Sequence, residues 1–254
     1  MSSWSRAFFL LLLALLLGGC ASGGVPVLDL YSIYSRNQPA TQPVTRGSHK
    51  VERGETLYSI AFRYGWNFHD LARANGIHSP YTIYPGQMIH FDRRPSVARS
   101  TTSSTSRQSS VSRQKQPTRA PRAAPKPKLA AGQPRFVWPS SGAVLSHYGS
   151  AASAKGINLG GAKGAKVVAA AAGIVVYRGH GLTGYGNLLI IKHNDDWLSA
   201  YAHNHTMLVQ EGEQVKAGQQ IATLGSSGTF RLQLYFEIRK DGRPVNPESY
   251  LPKR

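Results

Sequence analysis

Between residues 92 and 134 the chain holds almost no large apolar side chain: it is rich in Ser, Thr and Arg, then in Pro, Ala and Lys. Such a stretch cannot bury enough surface to offset chain entropy, so it reads as an extended, disordered linker. That forces the 254 residues to fold as separate units on either side of it. The same stretch holds much of the charge. The net charge is +18, from 30 Lys and Arg against 12 Asp and Glu. Residues 93–135 contain eleven Lys and Arg and no Asp or Glu, which is eleven of the eighteen excess charges. A balance like this points to a polyanionic partner. Nucleic acid is a poor fit, because no aromatic residues are interleaved for base stacking. A solvated tether that brushes anionic wall polymers fits better.

The N-terminus sets the compartment. Arg6 gives a short positive region, and residues 7–17 form an apolar run too short to span a bilayer comfortably. Leu17-Gly18-Gly19-Cys20 follows, and Cys20 is the only cysteine, so the chain can form neither an internal disulfide nor a paired-cysteine metal site. An ordinary signal peptide or a buried thiol would be the plain explanation. The sequence resembles a bacterial lipobox, however, which implies cleavage before Cys20 and acylation of its thiol. Ala21-Ser22 lacks the Asp that favours inner-membrane retention in Gram-negative lipoproteins, so the resemblance implies the periplasmic side of the outer membrane. Residues 21–48, with Pro26, Pro39 and Pro43, read as a tether.

Residues 49–92 form the first folded unit. His49-Lys50-Val51 reads as a strand, and Thr56 caps a helix with Leu57, Ile60, Ala61 and Tyr64 at helical spacing. Gly65 ends that helix. A second runs from Phe68 to Ala74 with Leu71 inward, and Met88-Ile89-His90-Phe91 closes the unit as a strand. The order βααβ, with Gly-Glu-Thr-Leu-Tyr-Ser-Ile-Ala from Gly54 and Ile-Tyr-Pro-Gly-Gln from Ile83, resembles the LysM module. That resemblance implies binding of peptidoglycan glycans. Gly54, Glu55 and Thr56 would form a shallow sugar groove with Ile83, Tyr84 and Pro85. At roughly 45 residues the module has little core to spare, so part of that set should also serve packing.

Residues 136–254 form the second unit. Short apolar runs separated by Gly turns, among them Gly173-Ile174-Val175-Val176-Tyr177 and Leu232-Gln233-Leu234-Tyr235-Phe236-Glu237-Ile238-Arg239, imply an antiparallel all-β domain. Phe136-Val137-Trp138-Pro139, Gly184-Tyr185-Gly186-Asn187, Tyr201-Ala202-His203 and Val215-Lys216-Ala217-Gly218-Gln219 resemble the LytM type of peptidase domain, a lysostaphin-like fold with a duplicated hybrid motif. The order lipobox, LysM, basic linker, LytM domain is similar to that of NlpD-type lipoproteins. A linker of about 40 residues would let the two modules act at separate points on the wall.

Active LytM-type enzymes hold one zinc ion with three protein ligands and a water. Carried over by resemblance, the first His falls on Ala154, the Asp on Asn158, and the His-x-His pair on Gln233 and Tyr235; only His203 keeps its family identity. Ala154 has no donor atom, Asn158 offers a neutral amide, and Tyr235 would have to lose a proton of ordinary pKa near 10. The resemblance therefore implies no catalytic residues, no metal and no cofactor. A displaced site around His203 and His205, with His147, His180 or His193 supplying a third ligand, lacks a carboxylate in register. What remains is a groove lined by Asn158, Tyr177, Tyr185, Tyr201, His203, Gln233 and Tyr235, residue types suited to a protein partner. Degenerate LytM domains bind and activate N-acetylmuramoyl-L-alanine amidases during septal splitting, and that function is implied here. The alternatives are a zinc endopeptidase with a non-standard ligand set and a passive wall-binding tether.

Overall fold

The computed structural model describes residues 43–92 and 131–254. The expected lipidation at Cys20 and most of the tether and basic linker lie outside the described residues. Among the described residues no helix is long and apolar enough to cross a membrane.

The first unit has the expected βααβ order: β1 (Ser48–Lys50), α1 (Leu57–Tyr64), α2 (Phe68–Ala74) and β2 (Met88–His90), with β1 and β2 antiparallel. Thr56 and Ser59 form a capping box at the start of α1, and Gly65 ends it in the left-handed conformation. Leu57, Ile60, Ala61, Leu71 and Ile89 fill its core.

The second unit is built on one long antiparallel sheet. Its strands are β3 (Val144–Ser146), β4 (Ile157–Gly160), β6 (Gly173–Gly179), β7 (Leu188–Lys192), β8 (Trp197–Ala202), β10 (Gln214–Val215), β12 (Gln233–Lys240) and β13 (Arg243–Val245). They lie in the order β10-β6-β7-β8-β12-β4-β3, with β13 also paired to β12. A smaller sheet, β5 (Lys166–Val168), β11 (Gln220–Leu224) and β9 (Asn204–Met207), runs in the order β5-β11-β9. Val167, Ile221, Ala222 and Leu224 of the small sheet meet Val175, Leu189, Ile191, Tyr201, Phe236 and Ile238 of the large one in the main core.

The other face of the large sheet is also apolar, and it is also covered. Tyr177, Leu188, Ile190, Ala200, Ala202 and Tyr235 form a second cluster there, together with Leu182 and Tyr185 from the β6–β7 connection and Phe62 from α1. Burial on both faces explains why β7 reads Leu-Leu-Ile-Ile rather than alternating. The expectation of two modules acting apart is not what is seen: the first unit sits on the second. Its approach is close at Gly242, where an added Cβ would lie 2.5 Å from the Asn67 nitrogen.

Candidate functional site

The site is built on alternation along β12. Leu234, Phe236 and Ile238 point into the main core, and Tyr235 faces the other way with Glu237 and Arg239. Glu237 is the hub. Its Oε2 accepts hydrogen bonds from the Tyr235 hydroxyl at 2.9 Å and the Tyr185 hydroxyl at 3.3 Å. Its Oε1 accepts from Arg239 Nε at 2.6 Å. All of these groups are buried. A carboxylate out of water needs partners of this kind, and here it has a cation and two phenols.

The environment sets the protonation states. Burial, and then the neighbouring Glu237 carboxylate, push the Tyr235 hydroxyl well above its ordinary pKa, so it stays a neutral donor. Lys155, buried nearby, is lowered to about 8 by desolvation, against the attraction of Glu237. His203 sits at a left-handed bend between β8 and β9, donates from Nδ1 to the Ser227 carbonyl at 2.8 Å, and is lowered by burial to about 4. Tyr235 lies against the segment that carries Ala154 and Asn158: a Cβ at Gly156 would fall 2.9 Å from its Cζ, so only glycine fits there.

The donor set does not fit a catalytic zinc ion. Ala154 offers no ligand, and the Asn158 amide donates its Nδ2 to the Ala152 carbonyl. Tyr235 is held protonated, and Gln233 is a half-buried amide paired in the sheet with Gly160. The one carboxylate in reach, Glu237, is already neutralised by Arg239. A divalent cation would also meet the Arg239 and Lys155 charges. The alternative pair His203 and His205 does not share a face, because the bend at His203 buries one ring and leaves the other residue exposed. Among the described residues no group of three or more His, Cys, Asp or Glu is placed to hold a metal ion.

Two sequence expectations need correction. Tyr201 does not line the groove. In the β8–β12 register Tyr235 lies opposite Ala202 and Tyr201 opposite Phe236, so Tyr201 belongs to the main core. There its hydroxyl accepts from the Ala170 N–H at 2.7 Å and is hydrogen-bonded to Ser199. The groove is also not open. Asn158, Tyr177, Tyr185, His203 and Tyr235 are each only 2–4% exposed. Tyr177, Tyr185 and Tyr235 share one buried cluster, beneath Phe62.

Two family models match the chain: "LysM domain" over residues 49–91 and "Peptidase family M23" over residues 152–247. The chain is 44% identical over 268 aligned residues to the "Lipoprotein NlpD/LppB homolog" of Pseudomonas aeruginosa, covering 94% of this chain and 89% of that protein. It is 36% identical to the "Murein hydrolase activator NlpD" of Escherichia coli K12, covering 82% and 68%. It is also 36% identical to the "Outer membrane antigenic lipoprotein B" of Histophilus somni, covering 83% and 70%. This chain belongs to the NlpD family of lipoproteins. As in the sequence expectation, its architecture is a LysM module plus an M23, lysostaphin-like domain.

In this NlpD-family chain the expected sugar-groove residues of the LysM module divide into two kinds. Tyr84 is 68% exposed, Pro85 and Gly54 are exposed, and Ile83 is half-buried. Glu55 and Thr56 are engaged inside the protein. Glu55 bridges His49 at 2.6 Å and Arg63 at 2.8 Å. Thr56 caps α1 and donates from Oγ1 to the Val176 carbonyl of β6 at 3.3 Å. Sequence reasoning passed over Lys155 and Arg239, and gave Glu237 no role. The readable signal was a Glu and an Arg two residues apart on one strand, which must share a face.

Proposed function

We propose that this chain is a non-catalytic activator of periplasmic N-acetylmuramoyl-L-alanine amidases in septal peptidoglycan splitting. In this reading Cys20 carries the lipid anchor on the periplasmic side of the outer membrane, and the LysM module holds the wall through Gly54, Glu55, Thr56, Ile83, Tyr84 and Pro85. The M23-type domain receives the amidase on the face carrying Asn158, Tyr177, Tyr185, His203, Gln233 and Tyr235. One observation carries the proposal: Tyr235, at a position where the resemblance expects a metal-ligating His, is tied into a buried network with Tyr185, Glu237 and Arg239. It preserves a shaped surface and leaves no donor set for the metal that hydrolysis in this family uses. The relatives' names, murein hydrolase activator and outer membrane lipoprotein, point the same way.

The test is dye release from labelled sacculi by the purified chain, alone and with candidate amidases. Release is expected only with an amidase present, and chelator added to the chain before mixing should not change its stimulating power. Chelator-sensitive release by the chain alone would favour the endopeptidase reading. Wall binding without stimulation of any amidase would leave a tether.

A further inference from the structure

Helix α1 is apolar on two faces, and a helix of that kind must be covered twice. Leu57, Ile60 and Ala61 face the LysM core. Phe62 points away from that core, and on a free LysM module it would be an exposed aromatic. Here it is 1% exposed, because the groove face of the large sheet receives it. The fit is specific. The Tyr185 ring meets Phe62 edge-on at 5.5 Å, and the Arg239 guanidinium lies 3.5 Å over its face. Arg239 Nη1 also donates to the Phe62 carbonyl at 2.6 Å. That carbonyl is in the last turn of α1, where backbone acceptors lack helical partners and a cation is favoured.

Contacts around the rim repeat the pattern. Arg63 Nη2 donates to the Gly181 carbonyl at 2.9 Å, steered by its ion pair with Glu55. Thr56 reaches Val176, and His69 lies 3.1 Å from Asp195. These rim contacts are polar and few, and each unit keeps a core of its own without residues from the other. Undocking would therefore leave both units folded and would expose chiefly Phe62 and the face that holds it.

We propose that the LysM module is a latch on the M23-type domain: with Phe62 seated on Tyr185, Tyr235 and Arg239, the face that engages the amidase is closed, and it opens when α1 moves off. This rests on the activator reading, because the closed face is the one assigned to the amidase. The docked state acts as a tax on affinity: with a linker-set effective concentration of millimolar order, halves that hold together at micromolar concentration correspond to a latch open about one part in a thousand, which weakens apparent binding roughly a thousandfold.

The test uses the full chain with a specific protease site inserted between residues 93 and 130. After cutting, the two halves of the otherwise unaltered chain are expected to co-elute on gel filtration, and those of Phe62→Asp to separate. Uncut Phe62→Asp should stimulate the amidase at concentrations up to about a thousandfold lower than the unaltered chain needs. Arg63→Glu, which breaks the Gly181 contact from a half-buried position at the rim, should shift both readouts the same way to a lesser degree and guards against misfolding of Phe62→Asp. Separation of the unaltered halves on cutting would overturn the latch. So would a Phe62→Asp chain whose halves separate but whose stimulation is unchanged. If the halves co-elute and neither chain stimulates any amidase, the activator reading fails and takes the restraint with it.

Discussion

The two sets of side chains on β12 are equally hidden from water and are held by different physics. Leu234, Phe236 and Ile238 meet the small sheet in an apolar core. Tyr235, Glu237 and Arg239, on alternate positions of the same strand, form a hydrogen-bonded ionic network under the LysM module. The first set is specified by volume, so methylenes matter and any apolar side chain of the right shape will serve. The second is specified by matching donors to acceptors, so one change strands its neighbours. The contrast marks which face maintains the fold and which is free to be specialised for a partner.

The largest expected effect lies on the core side. Phe236→Ala removes a fully buried ring that packs against Tyr201 at 5.4 Å and should cost about 4 kcal/mol. The measure is the denaturant midpoint of the M23-type domain in the full chain. A loss well under half of that would mean the two faces do not differ in the way described.

Next comes the network. Glu237→Leu leaves Arg239 buried beside no carboxylate and should cost about 3 kcal/mol. The double variant Glu237→Leu with Arg239→Met removes both charges and should recover the part of that loss due to the stranded cation, because apolar replacement of a whole buried pair is often near neutral, while the Tyr185 and Tyr235 hydroxyls still lack their acceptor. Recovery on this face, with no second-site apolar change able to rescue Phe236→Ala without refilling its volume, is what separates stoichiometry from packing. Failure to recover would show that the partners left behind, the Tyr185 and Tyr235 hydroxyls and the Phe62 carbonyl, weigh as much as the stranded charge.

Much of this arrangement was legible in the sequence, and the reasons for what was not are specific. Thr56, Gly65 and the spacing of Leu57, Ile60 and Ala61 gave α1 almost to the residue, since caps and periodicity are local signals. Strand positions follow from short apolar runs separated by Gly turns. Tyr201 went to the wrong face because its neighbours in the Tyr-Ala-His run drew it toward the groove; the parity of one strand relative to another depends on register, which a single chain does not display. Phe62 lies off the spacing of Leu57, Ile60 and Ala61 that marks the core face of α1. Tyr58 and Phe62, four residues apart, already formed a second apolar stripe, which was the visible sign of a docking surface. No local pattern announces which surface receives it. The pairing of Tyr185 with Glu237 joins residues 52 positions apart and is a product of the fold alone.

The smallest effect sharpens the comparison through pH, because each face has one buried histidine. On the core side His193 donates from Nδ1 to the Ala172 carbonyl and is hydrogen-bonded through Nε2 to Ser199, beneath Tyr201. Toward the groove His203 donates to Ser227, with its ring 6.3 Å from Tyr235. Burial lowers both to about 4, below the ordinary histidine value of 6.5. The unfolded chain therefore takes up these protons first as pH falls. Stability is full above pH 6.5, declines below it and is lost through pH 4, with each histidine costing about 2 kcal/mol by pH 5. Melting temperature measured from pH 8 to 5 should fall accordingly, and His203→Gln should roughly halve the slope that these two groups contribute. His193→Gln should do the same to the slope, but it should also lower stability at pH 8, because it breaks the Ser199–Tyr201 chain inside the core. If His203→Gln left the acid slope intact, His203 would have to be open to solvent in solution, and the groove end of the comparison would then be an exposed surface rather than a buried one.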